Sequence, residues 1–342
     1  MPRKKDLTKF ILSRAIPIAF VVISIIVLLP KPLNERIDNS LIKAKVFLVN
    51  QNLDKDILGN AYEDCLKDES KCTVPDGTYI YKRIDASLDF VFLKDENFST
   101  SGLERKIDDA NSFLRGVLRI LPNRSIDYSY IDKSREPGDF ALDLYCILGW
   151  TYNDTSVYRI IRNELKPYGW TNPNETQFWR KVIDETWCIS LLAENHEDEK
   201  VLKQQVDLKS KEFISYINSS DYLDRKIIAG NHILLMFDRL ESYGYDISEY
   251  FDLIQFTKSY IVDQIKNGKL RYPLDVYHNS LYSLAKSGYE DKTFLQDLAG
   301  KILAVQNADG SWNIGSDGRY RILTTLRASI AINLFKVNYM NP

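Results

Sequence analysis

The stretch KILAVQNADGSWNIGSDGRYRILTTLRASIAINLF, residues 301–335, carries the reading of the fold. It begins with the end of an amphipathic run, passes through a polar loop built on Asp309, Gly310 and Ser311, and ends in an almost unbroken apolar run. Gly310 suits a tight turn, because glycine alone enters the left-handed region without steric cost. Trp312 supplies a large ring to bury against neighbouring helices, and Gln306 has both a donor and an acceptor for the loop backbone.

Working outward, the same plan recurs. Polar residues lead into an apolar run at Asp143 (ALDLYCILGW), Glu185 (DETWCISLLAE), Asn231 (AGNHILLMF), Asn279 (YHNSLYSLAKSG) and Thr325 (LTTLRASIAINLF), at intervals of 42, 46, 48 and 46 residues. A period of this size marks a repeat architecture. A further copy begins at Asp76, where DGTYIYKRIDASLDFVFL lines up with DGRYRILTTLRASIAINLF from Asp317. Between the apolar runs lie segments with helical spacing, at 103–121, 155–165, 198–218, 247–267 and 291–306. In the first, Leu103, Ile107, Ala110, Phe113, Leu114, Val117 and Leu118 share one face. Gly149, Gly244 and Gly288 close apolar runs. Strand signals are few. The expected fold is all-α: six helical hairpins closing into an α/α ring over residues 76–342, apolar helices inside and amphipathic ones outside. A helical solenoid is the rival, though tetratricopeptide repeats have a shorter period.

The Gln306-x-x-x-Gly310-Ser311-Trp312 core, followed by a tyrosine and a Thr-rich apolar helix, resembles the QW repeat of terpenoid cyclases and protein prenyltransferases. The resemblance implies an α/α toroid and gives Gln306, Gly310 and Trp312 a bracing role. A weaker copy, Leu165 to Trp170, lacks the glutamine. The toroid hosts cyclases, prenyltransferase subunits and non-enzymatic binding domains, so it does not fix a reaction.

The catalytic motifs that the resemblance would require are missing. No Asp-x-Asp-Asp acid motif occurs, and no Asp-Asp-x-x-Asp motif; Asp108-Asp109 comes nearest and falls in an outer segment. Asp275-Val276-Tyr277-His278 is similar to the prenyltransferase segment that carries a zinc-binding histidine, but the Asp-x-Cys partner is absent. No metal and no cofactor are expected. In such a ring the polar residues at inner-helix starts frame the cavity mouth, where free N–H groups and the positive dipole end also lie. The catalytic candidates are Asp143, Asp184, Glu185, Asp275 and His278. The cavity-binding candidates are Asp139, Asn231, His232, Arg271, Tyr277, Asn279 and Tyr282. Carboxylate pairs there fit a glycosidase, and the His, Tyr, Asn and Arg groups fit a polysaccharide lyase. All of these are also ordinary capping or core residues. The leading expectation is a ring that binds a ligand, glycan or protein partner without cyclase activity. A carbohydrate-active enzyme is the alternative, and an isoprenoid- or lipid-modifying enzyme is third.

The N-terminus addresses location. AIPIAFVVISIIVLL, residues 15–29, is uncharged, and Phe10 to Ser13 extend it to 20 residues broken only by Arg14, enough to span a bilayer. Arg3, Lys4, Lys5, Lys9 and Arg14 precede or enter it against one acid, Asp6, which orients residues 1–14 toward the cytoplasm and the body outside. The expected layout is a basic tail (1–14), a membrane anchor (15–30), a helical lead-in (31–75) and the ring. A cleaved signal peptide is the rival, poorly matched by Leu29-Pro30-Lys31-Pro32. Asn97, Asn123, Asn153, Asn174 and Asn218 begin glycosylation sequons, and Cys65 and Cys72 fit a short disulfide loop. Cys146 and Cys188, in apolar runs, read as buried thiols.

The chain of 342 residues carries 45 basic and 47 acidic side chains, with 44% apolar residues. Without residues 1–14 the body retains 40 basic and 46 acidic groups, which speaks against nucleic acid as a partner. The apolar fraction excludes a disordered chain.

Overall fold

The protein is described by a computed structural model covering residues 31–58, 63, 67, 73–74, 77–96, 98–120, 139–153, 155, 178–313 and 321–340. The described residues are all-helical apart from one small ribbon. In order come α1 (Leu33–Asn50), α2 (Leu53–Leu58), a two-residue antiparallel pair β1 (Thr73–Val74) and β2 (Gly77–Thr78), then α3 (Tyr79–Asp95), α4 (Glu104–Ile120), α5 (Asp139–Tyr152), α6 (Phe178–Glu194), α7 (Glu199–Ile217), α8 (Leu223–Ser242), α9 (Phe251–Asn267), α10 (Pro273–Lys286), α11 (Lys292–Ala304) and α12 (Arg321–Phe335). The ribbon was not expected from the sequence.

Two kinds of helix alternate, as the hydrophobic periodicity requires. In α4 one stripe is buried (Ile107, Ala110, Leu114, preceded by Leu103), while Glu104, Arg105, Asp108 and Asp109 face solvent. In α12 nearly every side chain from Ile322 to Phe335 is buried, the pattern of a helix enclosed on all sides. The enclosed helices pack in succession: α12 on α10, α10 on α8, α8 on α6 and α6 on α5. Helix α12 also packs on α3, and the ring of Phe92 on α3 lies 6.0 Å from that of Trp150 on α5. The amphipathic helices lie against members of this series: α4 on α3, α7 on α6, α9 on α8 and α11 on α10.

Local signals set the boundaries. Asp198 caps α7 by accepting from Lys200 N and Val201 N, and Asp291 caps α11 by accepting from Phe294 N, each satisfying N–H groups that the first turn leaves free. Pro273 opens α10, where its missing N–H costs nothing. Asp224 accepts from the backbone N–H of Arg271 and Tyr272, fixing the α9–α10 turn to the start of α8.

The quoted C-terminal loop is a clamp between distant parts of the chain. Gln306 Nε2 donates to Gly310 O at 2.9 Å and to Ser40 O at 3.0 Å, and Ser40 Oγ donates to Gln306 Oε1 at 2.9 Å. Trp312 is fully buried, and its Nε1–H donates to Ile302 O at 2.7 Å. Its backbone N–H donates to Thr325 Oγ1 at 3.0 Å. Gly310 has φ of +91°, and a β-carbon there would stand 2.3 Å from Lys43 O on α1. Only glycine fits both the conformation and the approach.

One expectation is overturned. Cys146 and Cys188 are not thiols but a disulfide joining α5 to α6, with Cα atoms 4.7 Å apart. Both were assigned to the core because apolar residues flank them, and both are indeed buried. What burial does not reveal is that they occupy matching positions of successive repeats, which brings them side by side. Cys65 and Cys72 lie outside the described residues, as do residues 1–14 and the proposed anchor at 15–30. No helix among the described residues is long and apolar enough to cross a membrane.

Candidate functional site

Charged side chains gather among the enclosed helices. Arg327, two turns into α12, donates from Nε to Asp89 Oδ2 at 2.9 Å and places Nη2 3.0 Å from Asp85 Oδ1. The two acids are one helical turn apart on α3, so one guanidinium spans both. Asp275, in the first turn of α10, and His232, on α8, also feel the Arg327 charge.

These groups are enclosed by protein yet not sealed. The side chains of Arg327, Asp85 and Asp275 keep 34%, 28% and 26% of their surface accessible, although protein atoms crowd around Arg327 and Asp275.

Electrostatics divides the acids. Burial pushes the Asp89 carboxyl up to about 7, against the pull of Arg327 and with the help of Asp85. Burial also acts to raise Asp275, but His278, Arg327 and Asn279 together hold it below the usual carboxylate range. Burial, with Arg239 and Arg327 nearby, drives His232 down to about 3, so its imidazole is neutral at ordinary pH. His232 Nδ1 is buried without a hydrogen-bond partner.

Beside the charged cluster stands an aromatic wall. The rings of Phe92 and Trp187 stack at 6.2 Å, those of Trp150 and Trp187 approach to 5.1 Å, and His232 meets Trp187 edge-on at 6.3 Å. Phe92, Trp150 and Trp187 are only partly buried.

The residues selected from the sequence are distributed unevenly around this site. Asp275 and His232 belong to it. His278 is buried, with Nε2 3.3 Å from Asp275 Oδ1 but off the direction of a good hydrogen bond. Asn279 donates to Asp275 O at 2.8 Å and Oδ1 at 3.3 Å, bracing that carboxylate. Asn231 is spent on packing: it donates to Ser280 Oγ at 3.1 Å and accepts from Ser283 Oγ at 2.8 Å, tying α8 to α10. Tyr282 donates to Glu96 Oε1 at 2.6 Å, and Lys286 Nζ lies 3.0 Å from the same oxygen. Arg271 is exposed and stacks on Tyr222 and Tyr272. Tyr277 faces α11, its ring 5.5 Å from Lys301 Nζ. Asp139 and Asp143 fall in α5 and Asp184 and Glu185 in α6, but their side chains are outside the described part.

Asp85, Asp89, Arg327, Trp150, Trp187 and Arg239 were not selected. A signal was available: in the aligned copies, IDAS (84–87) faces LRAS (326–329), placing opposite charges at one position of two apolar helices. Charged residues within otherwise apolar runs need partners, and here they are each other's.

Among the described residues, no group of three or more His, Cys, Asp or Glu side chains is arranged to hold an ion. The disulfide also removes Cys146 and Cys188 as thiolate ligands. Comparison with protein-family models, curated proteins and solved structures finds no match to this chain.

Proposed function

We propose that the chain is an α/α toroid tethered outside the cytoplasm by residues 15–30, and that its interior binds a polar ligand of the carbohydrate class without cyclase activity. The ring reading is supported by the order of neighbours, which runs from α5 through α6, α8, α10 and α12 to α3, and by the Phe92–Trp150 approach between its ends. The outside reading is supported by the Cys146–Cys188 disulfide, since disulfides persist mainly in oxidising compartments.

The ligand reading rests on one observation: Arg327, Asp85 and Asp89 form a partly accessible charged cluster among the enclosed helices. An isoprenoid chain would have to desolvate these groups without replacing their hydrogen bonds. A sugar supplies hydroxyls to the charges and C–H faces to Phe92, Trp150 and Trp187. The test is a glycan panel offered to the detergent-solubilised full chain. Binding weakened tenfold or more by Arg327→Gln, with the fold retained, supports the reading. Binding of isoprenoid lipids and of no glycan overturns it.

A second reading, a carbohydrate-active enzyme, is favoured by Asp89. A carboxyl that holds its proton to about pH 7 matches the demand on a general acid. Its check is release of new reducing ends or unsaturated sugars, absent in Asp89→Asn. A panel that is bound but never cleaved leaves the binding reading standing alone.

A further inference from the structure

Among the described residues, Arg239 is a buried cation without an ion-paired anion. It lies near the end of α8 with 9% of its surface exposed. Its guanidinium carbon sits 3.7 Å from the centre of the Trp187 ring and 4.8 Å from that of Trp150. Of the five N–H donors of a guanidinium, one makes a long hydrogen bond, Nη1 to Ser190 Oγ at 3.4 Å. Among the described residues no carboxylate lies within ion-pair distance of it. The acids within electrostatic reach are Glu96 and Asp238. Glu96 is engaged by Lys286 and Tyr282, and burial raises the Asp238 carboxyl. Burial pulls Arg239 down to about 10, which leaves it charged at neutral pH.

Such a group is expensive to bury, and cation–π contact offsets only part of the cost. The platform beneath it is nevertheless fixed. Trp150 Nε1–H donates to Tyr243 Oη at 2.8 Å. The planes of Trp150 and Trp187 are tilted by 54°, and the guanidinium lies over the Trp187 ring with Trp150 at its side. His232, whose Nδ1 is unpartnered, feels both Arg239 and Arg327 and therefore links this corner to the charged cluster.

We propose that Arg239 is an anion-recognition residue of the interior site, and that the ligand is an acidic sugar whose carboxylate or sulfate ester pairs with this guanidinium. The planar fork of arginine suits either group in bidentate fashion. This rests on the glycan reading above and narrows it to anionic glycans.

The test uses the detergent-solubilised full chain and two matched pairs of oligosaccharides, with affinities measured by calorimetry. One pair is a uronate oligomer and its carboxyl-reduced form; the other is a neutral oligomer and its sulfate ester. At least one anionic member is expected to bind tenfold or more tightly than its neutral parent, and which pair shows this identifies the anion. Arg239→Gln is expected to abolish that preference, and Arg239→Lys to keep part of it. Retained binding of the neutral parent shows that the variant is folded. If Arg239→Gln does not fold, the wild-type comparison decides alone. Equal binding of charged and neutral members, or a preference that survives Arg239→Gln, overturns the anion proposal and leaves the glycan reading intact. No binding of any member overturns both.

Discussion

Arg327 on α12 hydrogen-bonds Asp89 at 2.9 Å and reaches Asp85 at 3.0 Å, so one guanidinium bridges two carboxyl groups on α3. Removing it with Arg327→Ala strands both acids. Breaking a buried pair costs about 3–5 kcal/mol; with a third of the Arg327 side chain in solvent, the loss is expected near the lower end. Urea denaturation checks this. Arg327→Ala combined with Asp89→Asn should recover part of the loss, because the stranded charge is gone.

Asp89 and His232 give folding stability opposite dependences on pH. The Asp89 carboxyl is raised to about 7 in the folded state. Its contribution is therefore fully present below its unfolded value near 4 and is lost as pH rises through 7. His232 is lowered to about 3. Its contribution is present above its unfolded value near 6.5 and is lost as pH falls through 3. Denaturant midpoints measured from pH 4 to 8 should fall less steeply with rising pH in Asp89→Asn. In His232→Gln they should decline less on acidification. Unchanged slopes in both variants would contradict the burial assigned to these groups.

The disulfide between Cys146 and Cys188 closes a loop with a sequence separation of 42 residues. Chain-entropy arithmetic puts the stabilisation from a loop of that length at about 4 kcal/mol. Replacing both cysteines with serine is expected to remove an amount of this order, plus a smaller cost for burying two hydroxyls. Melting of the oxidised protein against the double variant measures it.

Gly310→Ala is expected to destabilise by about 2 kcal/mol or more, because the left-handed conformation is strained for alanine and its β-carbon meets Lys43 O. Gln306→Ala, which loses three hydrogen bonds to the loop and α1, is expected to cost about 1–3 kcal/mol. Thermal denaturation of each variant provides the check.

The helices were legible because periodicity needs no partner to be read. The amphipathic segments at 198–218 and 291–306 correspond to α7 and α11 within a few residues. The charged cluster is less visible in the sequence because it does not sit at helix starts. Asp89 and Arg327 lie two or more turns inside apolar runs, where a charge is easily passed over. Their meaning depends on which helix lies opposite, and α3 and α12 are separated by more than 200 residues of chain. The cysteines failed for the same reason: the 42-residue spacing equals a repeat interval, yet each had been weighed only against its immediate neighbours. Asn231, expected at a helix start, lies two turns into α8, where it fastens that helix to α10.

The clamp between Gln306 and Ser40 imposes an order on synthesis. Helix α1 emerges early, but the residues that hold it, Gln306 on the loop after α11 and the packing face of α12, are made some 260 residues later. At translation rates of about 5–20 residues per second, α1 waits on the order of 10–50 seconds for its partners. During that interval the apolar surface destined for α12 is uncovered. Exchange of a last helical hairpin between two nascent chains is the assembly error this geometry most invites.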